Sequence, residues 1–448
     1  MRVAVVGGGI SGLVAAYRVR KALGDSAEVV VLERRGRVGG ILRTVEIAGD
    51  PVDLGAEAFV GRRPEIPELM GELGIADQLV FPAGKRPLVW SEGRGHGLPE
   101  RTLMGIPAAA ESVAGLVDAQ TLAKIAGEAD RPLRWEAGQD ISVGALVSDR
   151  FGEQVVRRSV DPLLGGVYAG LADSIGVRAA LPTLAAALDA GAASLTQAVA
   201  QALPPASSTP VFGGIRDGYG VLLDALRRAA DVKIETHTPA TRLTRTARGW
   251  QLDPAGDFDA VILATPAPVT AELLRDVAPQ AADLAGGIEL ASSVVVALAL
   301  PPETALPDNS GILVATGEPL RAKAFTLSSR KWPHLAARDV ALARASFGRF
   351  GDSAPLSWTD AELIDAAVAD LTTVTGVEIR PLQAVVQRWP GGLPQYAPGH
   401  TARIAELHSA LADLDGLAVA GAYLNGVGVP ACAASGTAAA ARITGQAA

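Results

Sequence analysis

The stretch Val3-Ala4-Val5-Val6-Gly7-Gly8-Gly9-Ile10-Ser11-Gly12 decides how this chain is read, and its meaning depends on the residues from Leu13 to Gly40. Val3 to Val6 is an apolar run of strand length, Gly7, Gly9 and Gly12 have the spacing G-x-G-x-x-G, and Ser11 to Leu23 reads as a helix. In such a unit Gly7 makes the tight turn, Gly9 lets backbone approach a diphosphate, and Gly12 lets helix and strand pack closely. The N-terminus of the helix then offers free N–H groups to the phosphates. A second apolar strand, Val29 to Leu32, ends in Glu33, about twenty residues beyond the glycines, where a carboxylate can accept hydrogen bonds from ribose hydroxyls. Glycine turns also precede helices for structural reasons alone, but strand, turn, helix, strand and acid in this order predict a dinucleotide site. Glu33 disfavours a 2′-phosphate by about 1 to 4 kcal/mol per charge pair.

Arg37-Val38-Gly39-Gly40 follows the acid so closely that Gly39 and Gly40 must lie beside the cofactor. The E-x5-GG arrangement of Glu33, Gly39 and Gly40, with Thr44 soon after, resembles the flavoprotein amine oxidase superfamily, and this resemblance makes the dinucleotide FAD. Val45 to Ile47 and Val52 to Glu57 read as a hairpin closing over the flavin side, with Gly55 to Ala58 near the ring.

The chain has 448 residues, nearly half of them apolar, enough for two or three domains with sizeable cores. Its 40 Lys and Arg against 48 acids give a net charge of -8 without a basic stripe, which argues against a nucleic-acid partner. Cys432 is the single cysteine, so no intrachain disulfide can form, and a reducing, cytoplasmic compartment is expected. The apolar start is better explained by the nucleotide glycines than by a signal peptide. No run of about eighteen or more apolar residues is free of charges or helix breakers.

The expected fold class is α/β: a discontinuous Rossmann-like FAD-binding domain (residues 1–65, 208–270 and 410–448), an antiparallel-sheet substrate domain (66–100 and 271–409) and a helical insert (101–207). The insert reads as Ala, Leu and Val at helical spacing, broken at Pro132, Pro162 and Pro182. It either buries its own core or presents a face for peripheral membrane contact. Residues 204–210 read as a linker, and Val221 to Ala229 as a helix. Val232 to Thr236, Thr241 to Thr246, Gly249 to Leu252 and Ala260 to Ala264 look like a meander beside the nucleotide sheet. Ser292 to Leu300, Gly311 to Ala315, Ala322 to Leu327, Val340 to Phe347 and Leu382 to Trp389 are strands, and Asp360 to Thr372 is an amphipathic helix. Leu417 to Gly421 returns as a strand, followed by the turn Gly426-Val427-Gly428 and a helix over Pro430 to Ile443.

Several blocks are similar to the porphyrinogen oxidases of haem synthesis: Asp161-Pro162-Leu163-Leu164-Gly165-Gly166-Val167-Tyr168-Ala169-Gly170, Lys331-Trp332-Pro333-His334, Arg388-Trp389-Pro390, Pro394-Gln395-Tyr396, Gly399-His400 and Gly426 to Cys432. They span most of the chain and most resemble the bacterial form that oxidises coproporphyrinogen III to coproporphyrin III. The resemblance implies FAD contacts at Gly7, Gly8, Gly9, Ile10, Ser11, Gly12, Glu33, Arg34, Ile41, Gly55, Ala56, Glu57, Ala58, Val232, Trp389, Val427, Gly428 and Val429. Ile41 stands where the family often has a basic residue, Ala431 replaces an Asp, and Leu171-Ala172 replaces an acid.

The flavin carries the chemistry in this reading, so no catalytic side chain and no metal are expected; dioxygen is the acceptor and peroxide the by-product. Propionates on the substrate call for cations, for which Arg62, Arg63, Arg216, Arg330 and Lys331 are candidates, with Tyr168, Tyr396 and His400 as lining groups. Hand-over of the tetrapyrrole to a ferrochelatase is a further expectation. The alternatives are a protoporphyrinogen IX oxidase, an amine oxidase with Trp389, Tyr396 and Tyr423 as an aromatic cage, and a non-catalytic flavin-binding protein of the haem pathway. Cys432 is read as a small buried thiol rather than a covalent flavin anchor.

Overall fold

The computed structural model describes residues 1–205 and 210–446. The linker read at 204–210 therefore lies largely outside the described residues, as does the stretch where the insert was expected to end. Five short strands pair entirely in parallel in the order Lys233–Glu235, Glu28–Leu32, Arg2–Val6, Ala260–Leu263, Leu417–Val419. Both faces are covered over residues 3–6 and 29–32, Ala260–Leu263 and Leu417–Val419, which is why these read as continuous apolar runs rather than as alternation, whereas the edge strand Lys233–Glu235 is partly exposed. On one face Val3, Val5, Val29, Val31 and Ile262 pack against Ala15, Ala16 and Val19 of helix Ile10–Leu23 and Ala439 and Ala440 of helix Val429–Thr444. On the other, Ala4, Val6, Val30, Val261 and Leu263 meet Trp250, Leu273, Leu274 and Leu407.

The expected four-stranded meander is corrected. Only Arg242–Thr246, Gly249–Asp253 and Gly256–Phe258 form one, while Lys233–Glu235 and Ala260–Leu263 belong to the parallel sheet. The physical reason is the connection: helix Tyr219–Ala230 precedes Lys233–Glu235 and carries the chain across the sheet, so that this strand enters parallel to Glu28–Leu32.

A seven-stranded sheet runs Gln383–Pro394, Leu290–Leu300, Ala341–Phe347, Ala324–Thr326, Gly311–Val314, Leu88–Ser91, Arg94–Gly97. It is antiparallel except where Gly311–Val314 pairs in parallel with Leu88–Ser91. Helix Asp360–Thr375 covers one face through Leu363, Ala367 and Leu371. The opposite face, at Ala297, Ala299 and Leu342, packs on Ile47, Val52 and Leu54 of the hairpin Thr44–Ile47/Asp50–Asp53. That contact ties the sheet to the hairpin that follows the first parallel strands.

Between residues 101 and 205 the chain is mostly short helices, among them Ala119–Ala126, Val143–Phe151, Asp161–Tyr168, Pro182–Asp189 and Leu195–Ala202. Their apolar residues bury one another, with Val89, Ala315 and Tyr396 joining from the sheet side. Among the described residues no helix is long and apolar enough to cross a membrane.

Candidate active site

Gly7 has φ +106°, and a Cβ there would stand 2.4 Å from the Ala264 carbonyl oxygen. A Cβ on Gly12 would stand 1.9 Å from the Gly7 carbonyl oxygen, so both positions are closed to any side chain. Gly9 differs: the nearest atom to its missing Cβ is Gly40 Cα at 3.9 Å. The open space over Gly9, between two glycine turns, is therefore a cradle that a side chain would fill. Helix Ile10–Leu23 starts there with no side-chain cap, leaving its first N–H groups turned to the cradle.

The second glycine pair is seated on the first, since the Gly39 N–H donates to the Gly8 carbonyl at 2.7 Å. Buried Glu33 accepts from the Gly8 N–H and the Arg35 N–H, each at 2.8 Å. Arg37 donates to the carbonyls of Val38, Gly40 and Leu42, shaping the loop that carries Ile41. Leu54-Gly55 threads against that loop so tightly that a Gly55 Cβ would lie 2.0 Å from the Ile41 carbonyl oxygen. The Trp389 indole N–H donates to the Leu54 carbonyl at 2.9 Å, and Arg344 donates to the Gly55 carbonyl at 2.7 Å. The turn is thus held from the large sheet.

From the other chain end, helix Val429–Thr444 begins at Gly428, also uncapped, with Pro430 in its first turn. It lies against the first helix so closely that a Cβ on Gly436 would stand 2.3 Å from the Ser11 carbonyl oxygen. Tyr396 holds the turn before it: its hydroxyl accepts the Gly426 N–H and donates to the Ala422 carbonyl. Cys432 is buried beside the same turn, and burial pushes its thiol up to about 11.

The substrate-side candidates do not converge as a set. Tyr168 and Tyr396 do meet, ring centroids 5.6 Å apart, and Tyr396 stacks on His400 at 4.0 Å. Burial pushes the Tyr168 hydroxyl up to about 12. Tyr396 is itself only 1% exposed and serves the C-terminal turn. Arg62 and Arg63 are on the surface, the latter paired with Glu65. Arg330 donates to the Leu306 carbonyl, and Arg216 is exposed. Lys331 lies inward, paired with Glu57 at 3.4 Å. Val232, in the register Lys233↔Val30, Glu235↔Leu32, precedes the strand, at the end of the sheet away from Glu33. The residues of this segment that do reach the acid are Glu235 and Thr238, through Glu33 N–H to Glu235 carbonyl and Thr238 N–H to Glu33 carbonyl. Ligands bind outside the carboxyl ends of such strands, whereas Val232 stands at the amino end of its own.

Residues 10–444 match the family described as flavin containing amine oxidoreductase. The chain belongs to that family. The coproporphyrinogen III oxidase of Mycobacterium tuberculosis is 54% identical over 432 residues, covering 96% of this chain and 94% of that protein. The chloroplastic protoporphyrinogen oxidase of Oryza sativa subsp. japonica is 26% identical over 474 residues, covering 96% of this chain and 85% of that protein. A crystal structure of an Exiguobacterium sp. 255-15 protein superposes with TM-score 0.88 at 28% identity, covering 99% of this chain and 98% of that one.

As a flavin containing amine oxidoreductase the chain has an α/β FAD-binding fold and FAD as its cofactor. The cradle over Gly9, two uncapped helix starts and buried Glu33 suit a diphosphate and a ribose. Sequence reasoning missed Arg344 and Asp53. Arg344 could have been noticed as the lone charge in the apolar strand Ala341–Phe347. Asp53 caps helix Tyr219–Ala230 from outside it, accepting the Tyr219 N–H at 3.1 Å and a hydrogen bond from Thr44.

Burial pushes the Asp53 carboxyl up to about 7, against the hydrogen bonds from Thr44 and Tyr219 that favour its charged form. Unfolded, it titrates near 3.8, so over about pH 4 to 7 the folded chain keeps a proton the unfolded chain has lost. This stabilisation is complete below the unfolded value and is lost as pH rises through the folded one, at no more than about 1.4 kcal/mol per pH unit. Burial lowers His334, His400 and His408 and acts in the opposite sense, so the measurement must be a difference between proteins. Wild type minus Asp53→Asn unfolding free energy is expected to decline between about pH 5 and 7. A flat difference would contradict the assignment.

Proposed function

We propose that this chain oxidises coproporphyrinogen III to coproporphyrin III in haem biosynthesis, with dioxygen as electron acceptor and hydrogen peroxide as product. The observation that carries the reading is 54% identity over nearly the whole length to an enzyme of that name. Residues 1–65, 208–270 and 410–448 would hold FAD, 66–100 and 271–409 would floor the substrate cavity, and 101–207 would cover it. Gly7 to Gly12, Glu33, Arg34, Gly39, Gly40, Ile41, Gly55 to Ala58, Trp389 and Val427 to Val429 are the residues offered to the cofactor. FAD supplies a hydride acceptor, and aromatisation of the macrocycle drives its transfer over three rounds. The protein's part is to place a meso carbon against the ring and to keep water away. Glu33, Trp389 and Arg37 act through the backbone loops they hold. The porphyrin then passes to a metal-inserting enzyme, a ferrochelatase.

An aromatic cage for an amine finds no support in the geometry. Tyr396 packs in the core of the helical region, Tyr423 in the core of the nucleotide half, and Trp389 is committed to the Leu54 carbonyl.

The test is a paired fluorescence assay of porphyrin appearance from coproporphyrinogen III and protoporphyrinogen IX, with peroxide measured in parallel. Faster turnover of coproporphyrinogen is expected, with peroxide rising alongside. Equal or inverted rates would remove the preferred substrate, and porphyrin without peroxide would remove dioxygen.

A further inference from the structure

Glu57 lies on the Gly55–Ala58 turn, and its partners come from far along the chain. Lys331 Nζ is 3.4 Å and Arg344 Nη1 is 3.7 Å from its carboxylate, with side-chain exposures of 18% for Lys331, 9% for Arg344 and 12% for Glu57. Arg344 also grips the turn itself through the Gly55 carbonyl. The Ser328 hydroxyl and Trp332 indole N–H, buried and without another hydrogen-bond partner among the described residues, stand near the same carboxylate. Burial, the largest single influence, would raise Glu57, yet Lys331, Arg344 and the hydrogen bonds from Ser328 and Trp332 together outweigh it and hold the carboxyl below its usual range. The other carboxyl in the neighbourhood, Asp53, is driven by its burial towards the neutral form. Buried Arg344 and largely buried Lys331 therefore share the Glu57 carboxylate, two cations against one acid within 4 Å of it.

Charge in such a place is screened weakly and acts at several ångströms. Charge close to a flavin ring is one of the main means by which a protein tunes it. We infer that Lys331 and Arg344, half neutralised by Glu57, raise the reduction potential of the bound FAD and so act as positioning residues for hydride uptake. This rests on the proposal that FAD lies on the Gly55–Ala58 turn. It also gives Lys331 a task other than binding a propionate at the surface.

The experiment compares the two-electron midpoint potential of FAD-loaded wild type, Lys331→Met, Lys331→Arg and Glu57→Gln, each titrated against a reference dye without substrate. Lys331→Met is expected to disfavour reduction by about tenfold, a fall of about 30 mV. Glu57→Gln frees both cations and is expected to move the potential up by a similar amount, while Lys331→Arg stays within twofold of wild type. A mere packing role would shift both neutralising variants the same way or not at all, and either result overturns the inference. So would a Lys331→Arg protein that behaves like Lys331→Met. If Lys331→Met does not take up FAD, the sign of the Glu57→Gln shift decides alone. Wild type that binds no FAD would instead sink the cofactor placement on which the inference stands.

Discussion

Gly9→Val is expected to yield a folded protein that is purified without flavin. The backbone at Gly9 is extended, with φ -74° and ψ 179°, a conformation that any residue adopts. Around its missing Cβ only Gly40 Cα comes within 4 Å, at 3.9 Å, so a Cβ fits the apo chain without a clash. The room is the cradle itself. A valine there would compete with the diphosphate for the same volume, at an overpacking cost of about 1–3 kcal/mol before lost amide contacts are counted. FAD affinity should fall by on the order of a hundredfold or more, since each 1.4 kcal/mol is about tenfold. Flavin absorbance per protein, with circular dichroism to confirm folding, reads the result. Gly12→Val makes the contrast: its Cβ would stand 1.9 Å from a carbonyl oxygen, so the strand–helix unit cannot close and insoluble or unfolded protein is expected. A yellow, fully loaded Gly9→Val protein would show that the cofactor's phosphates lie elsewhere.

Arg150→Leu is expected to destabilise the helical region by about 3–5 kcal/mol, the cost of leaving a buried carboxylate without its counter-ion. Glu128 is completely buried, and its carboxylate accepts from Arg150 Nε at 2.7 Å, the Leu195 N–H at 2.8 Å and the Thr196 hydroxyl at 2.9 Å. Arg150 in turn donates to the carbonyls of Glu128, Pro132 and Arg131. The pair thus joins helix Val143–Phe151 to the start of helix Leu195–Ala202 across otherwise apolar packing. Because a chain of this size need not unfold in one step, the readout is the first transition in urea, followed by circular dichroism. Adding Glu128→Gln to Arg150→Leu should restore part of the loss, since a neutral amide no longer leaves a buried charge unpaired. A shift below about 1 kcal/mol would place the pair among interactions of surface strength.

The nucleotide half was legible because its information is local. Val3 to Val6, Ser11 to Leu23 and Val29 to Leu32 were bounded within a residue of the observed Arg2–Val6, Ile10–Leu23 and Glu28–Leu32. Glycine spacing, an apolar run and an acid at fixed distance can all be read without knowing the fold. The strands Leu290–Leu300, Gly311–Val314, Ala341–Phe347 and Gln383–Pro394 were legible as strands for the same reason. Their order was not, and Leu88–Ser91 and Arg94–Gly97 escaped notice among residues with no clear alternation. Val232 entered through the family resemblance, and which end of its parallel strand it occupies is visible only in the pairing register.

The candidate cations show the same division. Arg62, Arg63 and Lys331 are equivalent in sequence, each a basic residue with nothing beside it to say whether it is buried. In space Arg63 is a surface pair with Glu65, whereas Lys331 is drawn inside by Glu57, 274 residues earlier in the chain. Residue types at short spacing determined by themselves that this protein grips a dinucleotide, since turns, helix starts and strand ends are set by neighbours along the backbone. Which charges are buried, how far they are balanced and which aromatic rings support the C-terminal turn were decided only by the tertiary structure. Those properties depend on desolvation and on partners hundreds of residues apart, and neither is written in any local pattern.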